Sequence, residues 1–121
     1  MRFSSVAFTA ILLVSQSGLA TMPSATPRIA TSQELVIIKH AFDDKLKDPF
    51  SMRLRNVRIA NVSVCGEVNA KNSYGAYMGY TVFYGVYLDG GGAGKSGAMI
   101  LHIDSGEDDN VAAQMCAKEG M

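Results

Sequence analysis

The chain has 121 residues, with eleven Lys and Arg against eleven Asp and Glu, two His, two Cys and no Trp. That length holds one small domain with a modest core, and the charge balance gives no general pull toward nucleic acid or anionic membranes. A nucleic-acid partner is therefore not expected.

The first twenty residues, MRFSSVAFTAILLVSQSGLA, place one Arg ahead of an apolar run from Val6 to Val14 and end in small residues, Gly18 and Ala20. This is the layout of a secretory signal peptide cut after Ala20. The apolar run is about half of the roughly 20 residues that span a bilayer, so no transmembrane span is expected after cleavage. No Cys sits directly after the cut, which argues against a lipid anchor. The expected location is periplasmic or secreted. Residues 21–30, TMPSATPRIA, hold two of the three prolines and read as a flexible leader to a single domain over 31–121.

Thr31-Ser-Gln-Glu34 has the spacing of a capping box, and Leu35, Ile38, Phe42 and Leu46 follow at helical intervals. A helix over 32–47 is expected, stopped by Asp48-Pro49. From Ser51 the residues become β-branched and aromatic. Strands are expected at Arg53–Ala60, Val62–Ala70, Gly79–Leu88 and Ala98–Asp104, joined by loops short enough for an antiparallel meander. A last helix follows the acidic residues 107–109 and ends at Gly120. The fold class is α+β: helix, four-stranded meander, helix.

Cys65 and Cys116 are 51 positions apart, without the spacing of a metal-ligand set. In an exported chain a structural disulfide is the expectation, with a reactive thiol as the alternative. On the second strand Val62, Val64 and Val68 share one face and Cys65 points to the other. The first helix should then cover the valine face and the last helix the opposite one, unless a bulge at Cys65-Gly66 intervenes. Arg53 and Arg55 share a face, with Arg58 on the other, and read as a solvated edge.

The stretch Leu88–Ile100, LDGGGAGKSGAMI, resembles a phosphate-binding loop at first glance. That pattern needs a glycine where Asp89 stands and a helix after Lys95-Ser96, where a strand is expected. It reads as a mobile hairpin tip, and no nucleotide or other cofactor is expected. His102 and Asp104 are two apart on the fourth strand and could join Asp89 or His40 in a small hydrolase or metal-dependent site; an ordinary polar strand edge is the simpler reading. No metal-ligand set is legible in the spacing. DSGEDDN, residues 104–110, lacks the ligand alternation of a calcium loop and is read as helix capping. No serine sits in a nucleophile elbow, so no catalytic residue is nominated.

The densest stretch is CGEVNAKNSYGAYMGYTVFY, Cys65–Tyr84. Asn69, Lys71, Asn72 and Ser73 suit tight turning, and Tyr74, Tyr77 and Tyr80 set amphipathic rings beside them, a composition suited to protein recognition. The simpler reading is a turn with tyrosines packed over it.

Across Asp48–Tyr84 the chain resembles a group of small exported or prophage-associated bacterial proteins marked by DPxS followed by CGxVNxKNSYGxYxGYxxF. The shared residues are Asp48, Pro49, Ser51, Val57, Cys65, Gly66, Val68, Asn69, Lys71, Asn72, Ser73, Tyr74, Gly75, Tyr77, Gly79, Tyr80 and Phe83. The resemblance implies a common small fold and bacterial origin and no activity. Ala76 departs from it, where a second glycine often follows Gly75. The expected function is a binding module of the periplasm or cell envelope, meeting another protein or an envelope component through Asn69–Tyr80. The alternatives are the small envelope hydrolase or metal-dependent enzyme, and a structural adaptor of an exported assembly.

Overall fold

A computed structural model describes residues 26–90 and 94–121. The expected signal peptide, the start of the leader and the tip of the glycine run lie outside the described residues.

The order of elements is β1 (Arg28–Ile29), α1 (Ser32–His40), a 3-10 turn (Pro49–Ser51), β2 (Arg53–Ala60), β3 (Ser63–Asn69), β4 (Thr81–Leu88), β5 (Gly97–Ile103) and α2 (Val111–Lys118). The five strands form one antiparallel sheet in sequence order. The α+β class and the meander of the four long strands stand as expected. The sheet gains a fifth strand, the two-residue β1, from the segment read as leader. It pairs Arg28 with Ile59 and Ile29 with Arg58.

The capping box at the start of α1 is formed: the Glu34 amide donates to Thr31 Oγ1 at 3.2 Å, and the Thr31 amide to Glu34 Oε1 at 2.9 Å. The same carboxylate takes both arms of the Arg28 guanidinium at 2.7 Å, which ties β1 to the helix. Regular α-helix ends at His40, shorter than the expected 32–47. Bonds from Phe42 to Lys39 and from Asp43 to His40 show the chain winding tighter there. Asp43 and Asp44 stand at the negative end of the helix dipole, where acidic residues oppose continuation. The tight turn also swings Phe42, fully buried, edge-on to Phe83 with ring centroids 4.9 Å apart.

The two faces of the sheet are divided as the alternation of β3 demands. Ile38 and Phe42 pack with Ile59, Val64, Val68, Phe83, Tyr87 and Ile100 on one face. Cys65, Tyr84, Ala112 and Cys116 form a second, smaller cluster under α2 on the other. The Cys65–Cys116 disulfide crosses there, with Cα atoms 5.9 Å apart. Val62 does not join the valine face, because it lies with Asn61 in the two-residue turn from β2 to β3, where Asn61 takes a φ of 58°.

The bulge falls on β2 instead of at Cys65-Gly66. Arg55 pairs with Glu67 and Arg58 with Cys65, so Asn56 and Val57 both face Gly66. Asn56 takes the left-handed conformation, φ 52°, that asparagine tolerates better than most residues. This inserted residue returns Arg58 to the face of Arg55, correcting the expectation that the two are opposed. Gly66 is required by contact: a Cβ there would lie 2.9 Å from Phe83 Cε1 and 3.0 Å from Val57 Cγ2.

Candidate functional site

The loop from β3 to β4, residues 70–80, is built by its own side chains. Asn72 Oδ1 accepts the amides of Tyr74 (2.9 Å) and Ala76 (3.2 Å), and its backbone pairs with Ala76 and Gly75. This Asx turn closes the tip. Asn69 Oδ1 accepts the Gly79 amide at 3.1 Å, and Lys71 bridges to Tyr77 across the loop. Two further bonds fix the loop to the 3-10 turn, from the Lys71 amide to Ser51 Oγ and from the Tyr77 hydroxyl to the Ser51 carbonyl, both 3.0 Å. Ser73 Oγ accepts Lys47 Nζ at 3.3 Å.

The tyrosines play separate parts. The Arg53 guanidinium lies 4.4 Å from the centroid of Tyr77, whose ring is also 5.4 Å from Lys71 Nζ. Arg55 lies 3.7 Å from the centroid of Tyr80. Both arginines remain exposed, and besides lining the surface they stack on aromatic faces, an attraction of roughly 0.5–1 kcal/mol at exposed sites. Arg55 also grips Glu67, with Nε 2.9 Å from Oε2, and Asn56 donates to the same oxygen at 2.8 Å. Arg55 and then Asn56 hold the Glu67 carboxyl below its ordinary range, and the carboxylate in turn raises the arginine.

Tyr74 has no such partner among the described residues. It is 94% exposed at the tip of the fixed loop. Phe50, beside the Ser51 that anchors the loop, is 98% exposed, and Met78 is 72% exposed. Phe50 and Met78 were not singled out in the sequence, although an aromatic directly after Asp48-Pro49 in a short turn has little core to enter. The structure thus brings Asn69, Lys71, Asn72, Ser73, Tyr74, Tyr77 and Tyr80 into one loop, most of them building it and Tyr74 presenting outward.

A second group of side chains lies where β5 meets α2. His102 Nε2 is 2.8 Å from Asp109 Oδ1 and 3.6 Å from Asp104 Oδ1. Asp104, buried, accepts the amides of Ala112 (2.7 Å) and Ala113 (3.1 Å), in the first turn of α2. Asp109 Oδ2 accepts both the amide and the hydroxyl of Ser105, at 3.1 and 2.8 Å. The imidazole and then Ser105 hold the Asp109 carboxyl down to about 2. Helix capping is therefore done by Asp104; residues 107–109 precede the helix in a turn, and its N-cap Asn110 makes no side-chain cap bond.

The wider cluster imagined from the sequence does not form. His40 lies on α1, across the sheet from His102, with Asp43 as its partner at 3.4 Å. Asp89 pairs with Ser96 at the base of the glycine hairpin. Asp109 is the member that the sequence reading missed. The four-residue reach from Ser105 to Asp109 resembles an ordinary loop cap, and only the turn brings it onto His102.

Compared with protein-family models, with curated proteins and with solved structures, the chain shows no match in any of the three.

Proposed function

We propose that this chain is an exported bacterial protein of the periplasm or cell envelope, of the small group its DPxS and CGxVNxKNSYG signature resembles. In this reading it acts as a binding module through the 70–80 loop and the adjoining 3-10 turn. The observation that carries the reading is Tyr74, almost fully exposed on a loop whose backbone is fixed by Asn69, Asn72, Lys71 and Tyr77. An aromatic held on a rigid support loses little conformational freedom on binding, which is what a recognition anchor requires. The intramolecular disulfide fits an oxidising compartment. No helix among the described residues is long and apolar enough to cross a membrane.

The partner is another protein or an envelope component. The test uses the mature protein as bait in an envelope extract, beside Tyr74→Ala and Phe50→Ala. Both substitutions remove exposed rings and should leave the urea midpoint unchanged while a partner held by the wild type is lost. Capture undiminished in both variants would overturn the assignment. Tyr77→Ala is a poor probe, because it removes the Ser51 bond and the seat of Arg53 together.

A further inference from the structure

We propose that His102, Asp104 and Asp109 form a binding site for one divalent transition-metal ion of the zinc class. The site is independent of the 70–80 loop and of the binding role proposed for it. Donor atoms from the three residues lie within 4.8 Å of one another. The imidazole nitrogen stands 2.8 and 3.6 Å from the nearest oxygens of the two carboxylates. Neighbouring ligand atoms around a tetrahedral ion with bonds of about 2.1 Å are separated by roughly 3.4 Å, so small movements would bring all three into one coordination sphere.

Both carboxylates are already oriented by bonds from outside the group. Asp104 is held at both oxygens, by Ala112 at Oδ1 and Ala113 at Oδ2, and Ser105 holds Asp109 Oδ2; the Oδ1 atom of each is the one nearest the imidazole, and on Asp104 it keeps a second lone pair beside the Ala112 bond. Bonds of this kind to outer partners are what orient metal ligands. The charge is also right. Among the described residues no Lys or Arg pairs with Asp104 or Asp109. A dication supplies balancing charge to a pair of carboxylates of which one, Asp104, is buried.

The nitrogen donor selects the metal class: imidazole suits zinc and its neighbours, whereas calcium and magnesium prefer all-oxygen sites. Binding places the ion where the Nε2 proton would otherwise face the carboxylates. It joins the end of β5 to the turn before α2.

The test is calorimetric titration of the full, disulfide-bonded chain, first stripped with EDTA, with zinc chloride. One ion per chain is expected, with calcium and magnesium giving no heat at the same concentrations. His102→Gln and Asp109→Asn keep hydrogen-bonding groups in place and should each weaken zinc binding at least tenfold, with urea midpoints in EDTA close to wild type. His40→Gln should bind as wild type does. Should His102→Gln fail to fold, carbethoxylation of the wild-type protein replaces it: zinc should protect His102, and not His40, from modification. Absence of saturable binding, binding that survives both substitutions, equal binding of calcium, or protection of His40 alone would overturn the site.

Discussion

Reduction of the Cys65–Cys116 disulfide should do more to α2 than to any other element. The bridge closes a separation of 51 residues, for which loop entropy gives roughly 4 kcal/mol of stabilisation. The helix has little else to hold it. Only Ala112 and Cys116 of α2 are buried, with Met115 packed alongside, and its N-terminus depends on Asp104 from β5. The larger core around Phe42 and Phe83 lies on the other face and does not include α2. A Cys65→Ala, Cys116→Ala variant should therefore keep the sheet and α1 while losing on the order of 4 kcal/mol in urea unfolding. At the slope of about 1–3 kcal/mol/M found for small proteins, the midpoint should fall by roughly 1.3–4 M. Native-state hydrogen exchange supplies the local readout: amides of residues 112–118 should open well below the global unfolding free energy once the tether is gone. A loss under about 1 kcal/mol, or α2 amides as protected as those of β3 and β4, would refute the reasoning.

Three other perturbations follow from packing and charge. Glu34 is buried, and the Arg28 guanidinium, with help from the Thr31 amide, lowers its pKa from 4.5 to about 2. That difference corresponds to roughly 3 kcal/mol, nearer 2 after screening at the half-exposed Arg28 is allowed for. Because the folded pKa is depressed, the stabilisation is complete above about pH 4.5 and fades as pH falls toward 2; Glu34→Gln should flatten that part of a urea-midpoint profile, and an unchanged slope would contradict the pairing. Gly66→Ala forces a methyl between Phe83 and Val57 and should destabilise by about 1–3 kcal/mol, read from thermal unfolding. Asn72→Ala removes the acceptor for two loop amides; amide exchange at Tyr74 and Ala76 should accelerate while the sheet keeps its protection.

Elements whose signals are local were legible in the chain. The capping box named the start of α1, the β-branched run before Asn61 placed β2 on its observed bounds, and alternation on β3 assigned each helix to its face of the sheet. What escaped depends on contacts distant in sequence. A two-residue β1 carries no periodicity, and its existence rests on Ile59 and on a guanidinium reaching Glu34. The bulge at Asn56 cannot be told from regular strand without its partner Gly66, which is why Arg58 was placed on the wrong face. At the loop, composition pointed to Asn69–Tyr80 but could not separate residues that build the turn from the one that projects. Tyr77 and Tyr80 meet arginines from β2, and Tyr74 meets none. Asp109 reaches His102 only through the turn that follows β5.

The most direct measurement places a photo-crosslinking amino acid at position 74 in the protein expressed in the organism that encodes it. A control position at Gln33, exposed on α1, reports incidental encounters. The binding-module account predicts a discrete adduct from position 74, absent from position 33 and suppressed by excess unlabelled wild type but not by Phe50→Ala. No adduct at position 74, or the same adducts from both positions, would contradict it.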